Sequence, residues 1–321
     1  MFGPVPSRRL GRSLGVNNVP YKTCSYSCIY CQLGETTELT VRRKGFYDPL
    51  EVAMEVEQAL SMNAEVDYVT LVPDGEPTLD INLGKLVRLL KERTRAPLAV
   101  LTNSSLLWMM EVREALEDAD LVSLKLDAVE EDTWRSVNRP HPSLDLNQVL
   151  EGLSDFARGF KGRLLVEAML VKGVNDRAEE LRGLAGFISK LRPFKVYIAV
   201  PTRPPALPWV EPAGEEDLVT AHQFMASELS SDRVELLVEP EGVEVGVVGD
   251  AVDALLRTSS VHPLRVEQAF KMLEGVVESP EACLRQLTEA GLIKEVKYRG
   301  ASFLIRGRLK KWGGSRSASP T

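Results

Sequence analysis

Asp67-Tyr68-Val69-Thr70-Leu71-Val72 runs without a break into Pro73-Asp74-Gly75-Glu76-Pro77-Thr78. The first half is a short apolar and β-branched run, which reads as a buried strand. The second half is rich in Gly, Pro and Asp, which punctuate a turn. Downstream, Leu83, Leu86, Val87 and Leu90 recur at helical spacing, and Lys91, Arg93 and Arg95 close that stripe before Pro97. Upstream, Asp48-Pro49-Leu50-Glu51 has the composition of a helix start, followed by an apolar face of Val52, Val56 and Leu60. The unit is therefore helix, strand, turn, helix.

The unit repeats in both directions. Strands are predicted over 12–19, 98–101, 121–126, 164–171 and 195–200, with helices over 109–117, 146–160 and 178–191 between them. Six strand–helix units imply a parallel sheet with right-handed crossovers. The fold class is α/β: a partial (β/α)6 TIM-like barrel over 1–205, with an open doubly wound sheet as its competitor. Pro201-Thr202-Arg203-Pro204-Pro205 breaks the pattern. Residues 206–260 read as an extension of the barrel, with a strand pair over 234–248. Residues 261–308, in the order helix, helix, hairpin, read as a winged-helix-like domain. Residues 309–321 read as a disordered basic tail.

The chain has 321 residues, is 44% hydrophobic and carries a formal net charge of -7. The charge is uneven: 294–321 holds eight Lys and Arg against Glu295 alone. Such a segment suits a polyanionic partner or a solvated tail. No apolar run reaches 18 residues, so no membrane contact is expected, and the proline-rich start does not read as a signal peptide. A cytoplasmic protein is expected. Three of the four cysteines fall within eight residues, which is poor material for a disulfide framework, whereas Cys283 reads as a small buried hydrophobe.

Those three are Cys24-x3-Cys28-x2-Cys31. A structural zinc site wants four ligands, and none of the three histidines lies nearby. Three thiolates suit a four-iron cluster that keeps one iron open. The segment Cys24-Ser25-Tyr26-Ser27-Cys28-Ile29-Tyr30-Cys31 resembles the signature of the radical S-adenosylmethionine superfamily. That resemblance implies one [4Fe-4S] cluster and S-adenosylmethionine as cofactors, with reductive cleavage to a 5′-deoxyadenosyl radical. It implies that Tyr30 packs on adenine, and that Gly75-Glu76-Pro77 is the motif that binds the cofactor's amino group. The usual motif begins with two glycines, and Asp74 replaces the first. It also implies an electron donor of flavodoxin or ferredoxin type.

The later strand ends add polar groups where a barrel gathers function. Asn103 follows the third strand, near the cofactor or satisfying local backbone. Ser123, Lys125 and Asp127 alternate with Val122, Leu124 and Leu126, so they share one face. Lys125 could bind substrate or act as a nucleophile and Asp127 could bind ribose, unless the strand is flipped. Glu167 lies in the fifth strand. Asp127…Asn138-Arg139-Pro140 together with Leu170-Val171-Lys172-Gly173-Val174-Asn175 resembles the tRNA wyosine synthase branch over residues 4–205. The opening Gly3-Pro4-Val5-Pro6-Ser7-Arg8-Arg9-Leu10-Gly11 resembles the start of small proteins related to that branch. True wyosine synthases carry a second, N-terminal cysteine set, and this chain has none. The resemblance implies hydrogen abstraction from a substrate, a tRNA base first, with a maturase of peptide, protein or metal cofactor as an alternative. A reading from another class is an iron–sulfur sensor with a nucleic-acid-binding winged helix. Positive charge on Lys297, Arg299, Arg306, Arg308, Lys310 and Lys311 suits RNA backbone or an acidic protein.

Overall fold

The computed structural model describes residues 1–62, 65–72, 74–239 and 241–307. The expected basic tail, 309–321, and the cations Arg308, Lys310 and Lys311 lie outside the described residues.

The chain opens with an antiparallel pair, β1 (Phe2–Ser7) and β2 (Gly11–Val16). The cysteine segment follows, with a parallel pair of two-residue strands, β3 (Thr23–Cys24) and β4 (Glu38–Leu39). Then come α1 (Pro49–Ser61), β5 (Tyr68–Leu71), α2 (Leu83–Arg93), β6 (Leu98–Thr102), α3 (Met110–Leu116) and β7 (Leu121–Lys125). Next are α4 (Glu131–Asn138), α5 (Leu146–Gly159), β8 (Arg163–Met169), α6 (Ala178–Leu191), β9 (Lys195–Ala199), α7 (Glu215–Glu228) and β10 (Val234–Leu237). The last unit holds α8 (Ala251–Val261), β11 (Leu264–Arg265), α9 (Val266–Leu273), α10 (Pro280–Glu289), β12 (Ile293–Tyr298) and β13 (Ala301–Arg306).

The main sheet runs β1-β2-β5-β6-β7-β8-β9-β10, and every pair from β2 to β10 is parallel. Strand order follows chain order, unlike a doubly wound sheet, whose order reverses. Crossovers of one hand then put the crossover helices on one face. The cores confirm it. Val69, Val100, Val122 and Val166 pack with helix residues such as Val87, Leu153 and Ile188. The opposite face packs on itself: Leu10, Ala99, Leu121, Leu165, Tyr197 and Leu237 form a cluster with no helix contribution. A sheet can bury that second face only by curling around it, which makes a half-barrel. The strands are accordingly buried on both faces, as Leu164–Ala168 of β8 shows.

Two expectations change. The barrel has one more parallel strand than six, because β10 pairs with β9 at Val234↔Val196 through Leu237↔Ala199. The expected partner strand up to 248 does not form among the described residues. Gly246 instead donates its N–H to the carbonyl of Pro4 at 2.7 Å, so that segment packs on β1 rather than folding back. The last unit also uses β1: Phe2 and Val5 share a core with Leu255, Leu264, Leu273 and Leu304. The first strand is thus the seat of the last unit. Helix α4, which apolar spacing did not reveal, carries Trp134 and Val137 into the core.

Helix α5 packs closely on the turn that precedes α3, and Gly152 makes this testable. A Cβ there would sit 2.2 Å from the backbone N of Trp108 and 2.6 Å from the carbonyl carbon of Leu107. Alanine favours a helix by about 1 kcal/mol over glycine, but backbone atoms cannot yield. Gly152→Ala should cost about 1–3 kcal/mol, read as a lower thermal midpoint; an unchanged or raised midpoint would contradict this packing.

Candidate cofactor and substrate site

The cysteine segment lies between the loop after β5 and the C-terminal end of α4. On one side, the N–H of Lys22 donates to the carbonyl of Asp74 at 2.8 Å, and the N–H of Glu76 donates to the carbonyl of Thr23 at 3.1 Å. On the other, the N–H of Ser27 donates to Asn138 O at 3.1 Å, that of Ile29 to Val137 O at 3.0 Å, and that of His141 to Ser25 O at 2.9 Å. Gly75 is required here. A Cβ at that position would fall 1.8 Å from the Thr23 carbonyl oxygen.

Cys24, Cys28 and Cys31 line one cavity of about 330 Å³ together with Tyr30, Gly75, Lys125 and Glu167. Those seven expected site residues are brought together. Glu76, Pro77, Asn103, Ser123, Asp127 and Asn175 stand outside its wall, and most of them brace it. The Glu76 carboxylate, buried, accepts from Thr78 Oγ1 and Thr102 Oγ1, both at 2.6 Å, and from the N–H of Asn103 at 2.7 Å. It ties the ends of β5 and β6 together, and Pro77 starts the buried turn beside it. Asp127 accepts from Tyr30 Oη, from Asn138 Nδ2 at 2.7 Å and from the N–H of Met169 at 2.8 Å. Both of its oxygens accept from the protein. Asn175 donates to the carbonyls of Asp127 (2.8 Å) and Met169 (2.9 Å) and accepts from the N–H of Val171. Ser123 faces inward, level with Leu101 and Leu165.

The strand is not flipped. Lys125 and Glu167 are direct neighbours across β7 and β8, and Lys125 Nζ lies 2.6 Å from Glu167 Oε1. The ammonium also sits 5.0 Å from the Tyr30 ring centroid. Burial pushes the Lys125 ammonium below its ordinary value, with Asp127 opposing. Glu167 has a second partner that the sequence did not announce: Arg9, from the β1–β2 turn. Burial pushes Arg9 down to about 10. Arg9 stands in the opening segment 3–11, where no local pattern marks it as facing the barrel.

A second charged cluster closes the far wall. Arg203 donates to Glu241 Oε2 at 2.5 Å and to Gln32 Oε1 at 3.2 Å, and lies 2.8 Å from His262 Nε2. His262 Nε2 lies 3.1 Å from the same Glu241 oxygen. Gln32, directly after Cys31, donates to the carbonyl of Val261 at 3.2 Å. The last unit therefore completes the cavity. Glu241 and His262 carried no motif, and only the meeting of 203, 241 and 262 reveals them.

The donor set fits an iron–sulfur cluster. The cysteines are free thiols. Burial raises the Cys24 thiol and raises Cys28 to about 12. Bare thiolates would be costly in that setting, and bound iron offsets the charge. Among the described residues, no three His, Cys, Asp or Glu side chains converge on a single metal ion. Three thiols spread around one cavity suit a multi-iron group instead.

Comparisons with known proteins agree. The Radical SAM superfamily model matches residues 18–185. A UPF0026 protein of Methanocaldococcus jannaschii is 39% identical over 307 residues, 95% of each chain. A UPF0026 protein of Helicobacter pylori is 30% identical over 89% of this chain and 94% of its own. Among solved structures, Streptococcus suis SuiB bound to S-adenosylmethionine superposes with a TM-score of 0.52 at 15% identity, over 71% of this chain. This chain spans 50% of SuiB, and the likeness concerns the fold. The superfamily uses a [4Fe-4S] cluster and S-adenosylmethionine, and Cys24, Cys28 and Cys31 are the residues here that would hold the iron.

Asp74 stands where the motif usually has glycine. It lines the cavity, it is buried, and its Oδ1 has no hydrogen-bond partner. Burial pushes its carboxyl up from 3.8 to about 6. The folded chain then holds that proton more tightly than the unfolded chain, so stability falls as pH rises through this window and the penalty is complete above it. The shift corresponds to roughly 3 kcal/mol at most. In the cluster-free protein, Asp74→Asn should raise the thermal midpoint at pH 7.5 and bring no such gain near pH 4. A midpoint at pH 7.5 no higher than wild type would mean that the neighbouring cations already offset the charge.

Proposed function

The chain belongs to the radical S-adenosylmethionine superfamily, and on that premise we propose that it cleaves S-adenosylmethionine at a [4Fe-4S] cluster on Cys24, Cys28 and Cys31 and uses the 5′-deoxyadenosyl radical to take hydrogen from a substrate in the cavity. It is an enzyme of that superfamily. The observation that carries the substrate half of the proposal is the Lys125–Glu167–Arg9 group in the same wall as the cysteines.

Each residue has a task that its contacts allow. Tyr30 is held by Asp127 through its hydroxyl and offers its ring to the cavity. Glu76, Asn103 and Asn175 hold the loops that carry the reacting groups and do not meet substrate. Lys125 is a hydrogen-bond donor or an amine nucleophile. Burial lowers its proton affinity, while Glu167 fixes the position of Nζ. Glu167 remains paired through Arg9 if Lys125 turns toward a substrate, so the lysine can move without stranding a buried carboxylate.

The substrate class favoured is a tRNA base. The last unit runs in the order helix, strand, two helices, hairpin, and we read it as a winged-helix-like domain. Its α10 presents Glu281 and Glu289 with only Arg285, which does not suit a major-groove reader. Lys294, Lys297 and Arg299 on β12 and its turn are exposed, which suits RNA backbone. A radical enzyme of this superfamily needs an electron donor, for which a flavodoxin- or ferredoxin-type protein is proposed. No helix among the described residues is long and apolar enough to cross a membrane, and a cytoplasmic setting is proposed.

The test is anaerobic reconstitution followed by dithionite and S-adenosylmethionine. 5′-Deoxyadenosine should form, and Cys28→Ala should lose both cluster and product. Added bulk tRNA should increase product, and Lys125→Met should cut that increase at least about tenfold, the cost of one lost charge-assisted contact. A fully iron-loaded protein that yields no 5′-deoxyadenosine would sink the radical reading. Product formation indifferent to tRNA would sink the tRNA reading alone.

A further inference from the structure

Each cysteine sulfur faces one side-chain N–H donor, and the three donors come from three separate parts of the chain. Lys22 Nζ lies 3.2 Å from Cys31 Sγ. Asn103 Nδ2 lies 3.5 Å from Cys24 Sγ. Asn138 Nδ2 lies 3.5 Å from Cys28 Sγ. Lys22 precedes the cysteines, Asn103 follows β6, and Asn138 ends α4. No turn chemistry of the cysteine loop brings them together.

The donors are aimed rather than accidental. The Asn138 amide nitrogen must face inward, because it also donates to the Asp127 carboxylate at 2.7 Å. The Asn103 amide is oriented by the N–H of Ser105, which donates to its Oδ1 at 3.0 Å, while its Nδ2 also meets Ser25 Oγ at 2.8 Å. Lys22 is 3% exposed and adopts a left-handed backbone with φ of 56°. Its ammonium has no carboxylate within 4.0 Å among the described residues. A buried ammonium without an anionic partner is costly. The partner it does have is a cysteine sulfur.

We propose that Lys22, Asn103 and Asn138 set the reduction potential of the cluster. They are positioning residues: they touch ligand sulfurs, not substrate. The inference rests on the cluster assignment above. Reduction adds negative charge, which spreads onto the sulfurs. N–H donors and a nearby cation stabilise that charge and so raise the potential. Lys22 carries a full charge at the shortest distance, so its share is the largest. The two amides contribute less, and by comparable amounts.

The experiment is a potentiometric titration of reconstituted wild type, Lys22→Met, Lys22→Arg and Asn103→Ala, followed by the electron paramagnetic resonance signal of the reduced cluster, with iron and sulfide content measured for each. At the wild-type midpoint, Lys22→Met should show an about tenfold lower ratio of reduced to oxidised cluster, equal to 59 mV for one electron. Lys22→Arg should return most of that ratio. Asn103→Ala should shift in the same direction by less, and it keeps the test open should Lys22→Met not take up iron. Fully loaded variants with wild-type midpoints would overturn the proposal. A wild type that takes up no four-iron cluster would overturn the cluster assignment instead.

Discussion

The carbonyl of Thr23 presses against the backbone of Gly75, so closely that a Cβ would lie 1.8 Å away. The N–H of Glu76 donates to that same carbonyl. This contact fixes the cysteine loop on the C-terminal end of β5, and what lies around it inherits its position. The Glu76 side chain then reaches Thr102 and the N–H of Asn103 at the end of β6. From there the Asn103 side chain returns to Ser25 and Cys24. The ring of contacts closes on the loop where it began. A carboxylate buried in this way is tolerable only because four donors satisfy it.

Above an apolar floor of Leu10, Leu121, Leu165 and Leu237, the inner face of the half-barrel turns polar. Half-buried Lys125 and Arg9 meet the buried Glu167, and half-buried Arg203 and Glu241 meet the buried His262. Burial alone would raise the Glu241 carboxyl, but Arg203 and His262 outweigh it and hold the group well below the usual carboxylate range. Both groups join segments that are far apart in sequence. Removing one partner strands a buried charge, which costs more than the pair itself contributes. The walls of the cavity are therefore coupled to the packing of the chain's two ends. β1 seats the last unit through Phe2 and Val5, and the last unit supplies His262 to the wall.

Local patterns made much of this legible. Strand and helix periods follow from side-chain direction, so β5 to β9, and the inward face of Ser123 and Lys125, could be read from alternation. The spacing of Cys24, Cys28 and Cys31 concerns one short loop, and Gly75-Glu76-Pro77 one turn. The same logic failed where the signal was short or nonlocal. β10 has four residues, and its apolar alternation reads as half of a hairpin, whereas the strand pairs in parallel with β9. Nor does any local pattern show that the Asp127 and Glu76 carboxylates accept hydrogen bonds from Tyr30, Asn138, Met169 and Thr78.

The amino-acid sequence by itself determined the class of fold, the cysteine loop and the family, since each depends on residues within a few turns of one another. The tertiary structure alone decided which polar groups meet. Gly75 against Thr23, Arg9 against Glu167, Arg203 with Glu241 and His262, and an N–H donor beside each cysteine sulfur all join segments that no period links. The physical reason is chain closure. Contacts between distant segments follow from how the whole sheet curls and how the last unit docks on the first strand, and neither is written in any single stretch of residues.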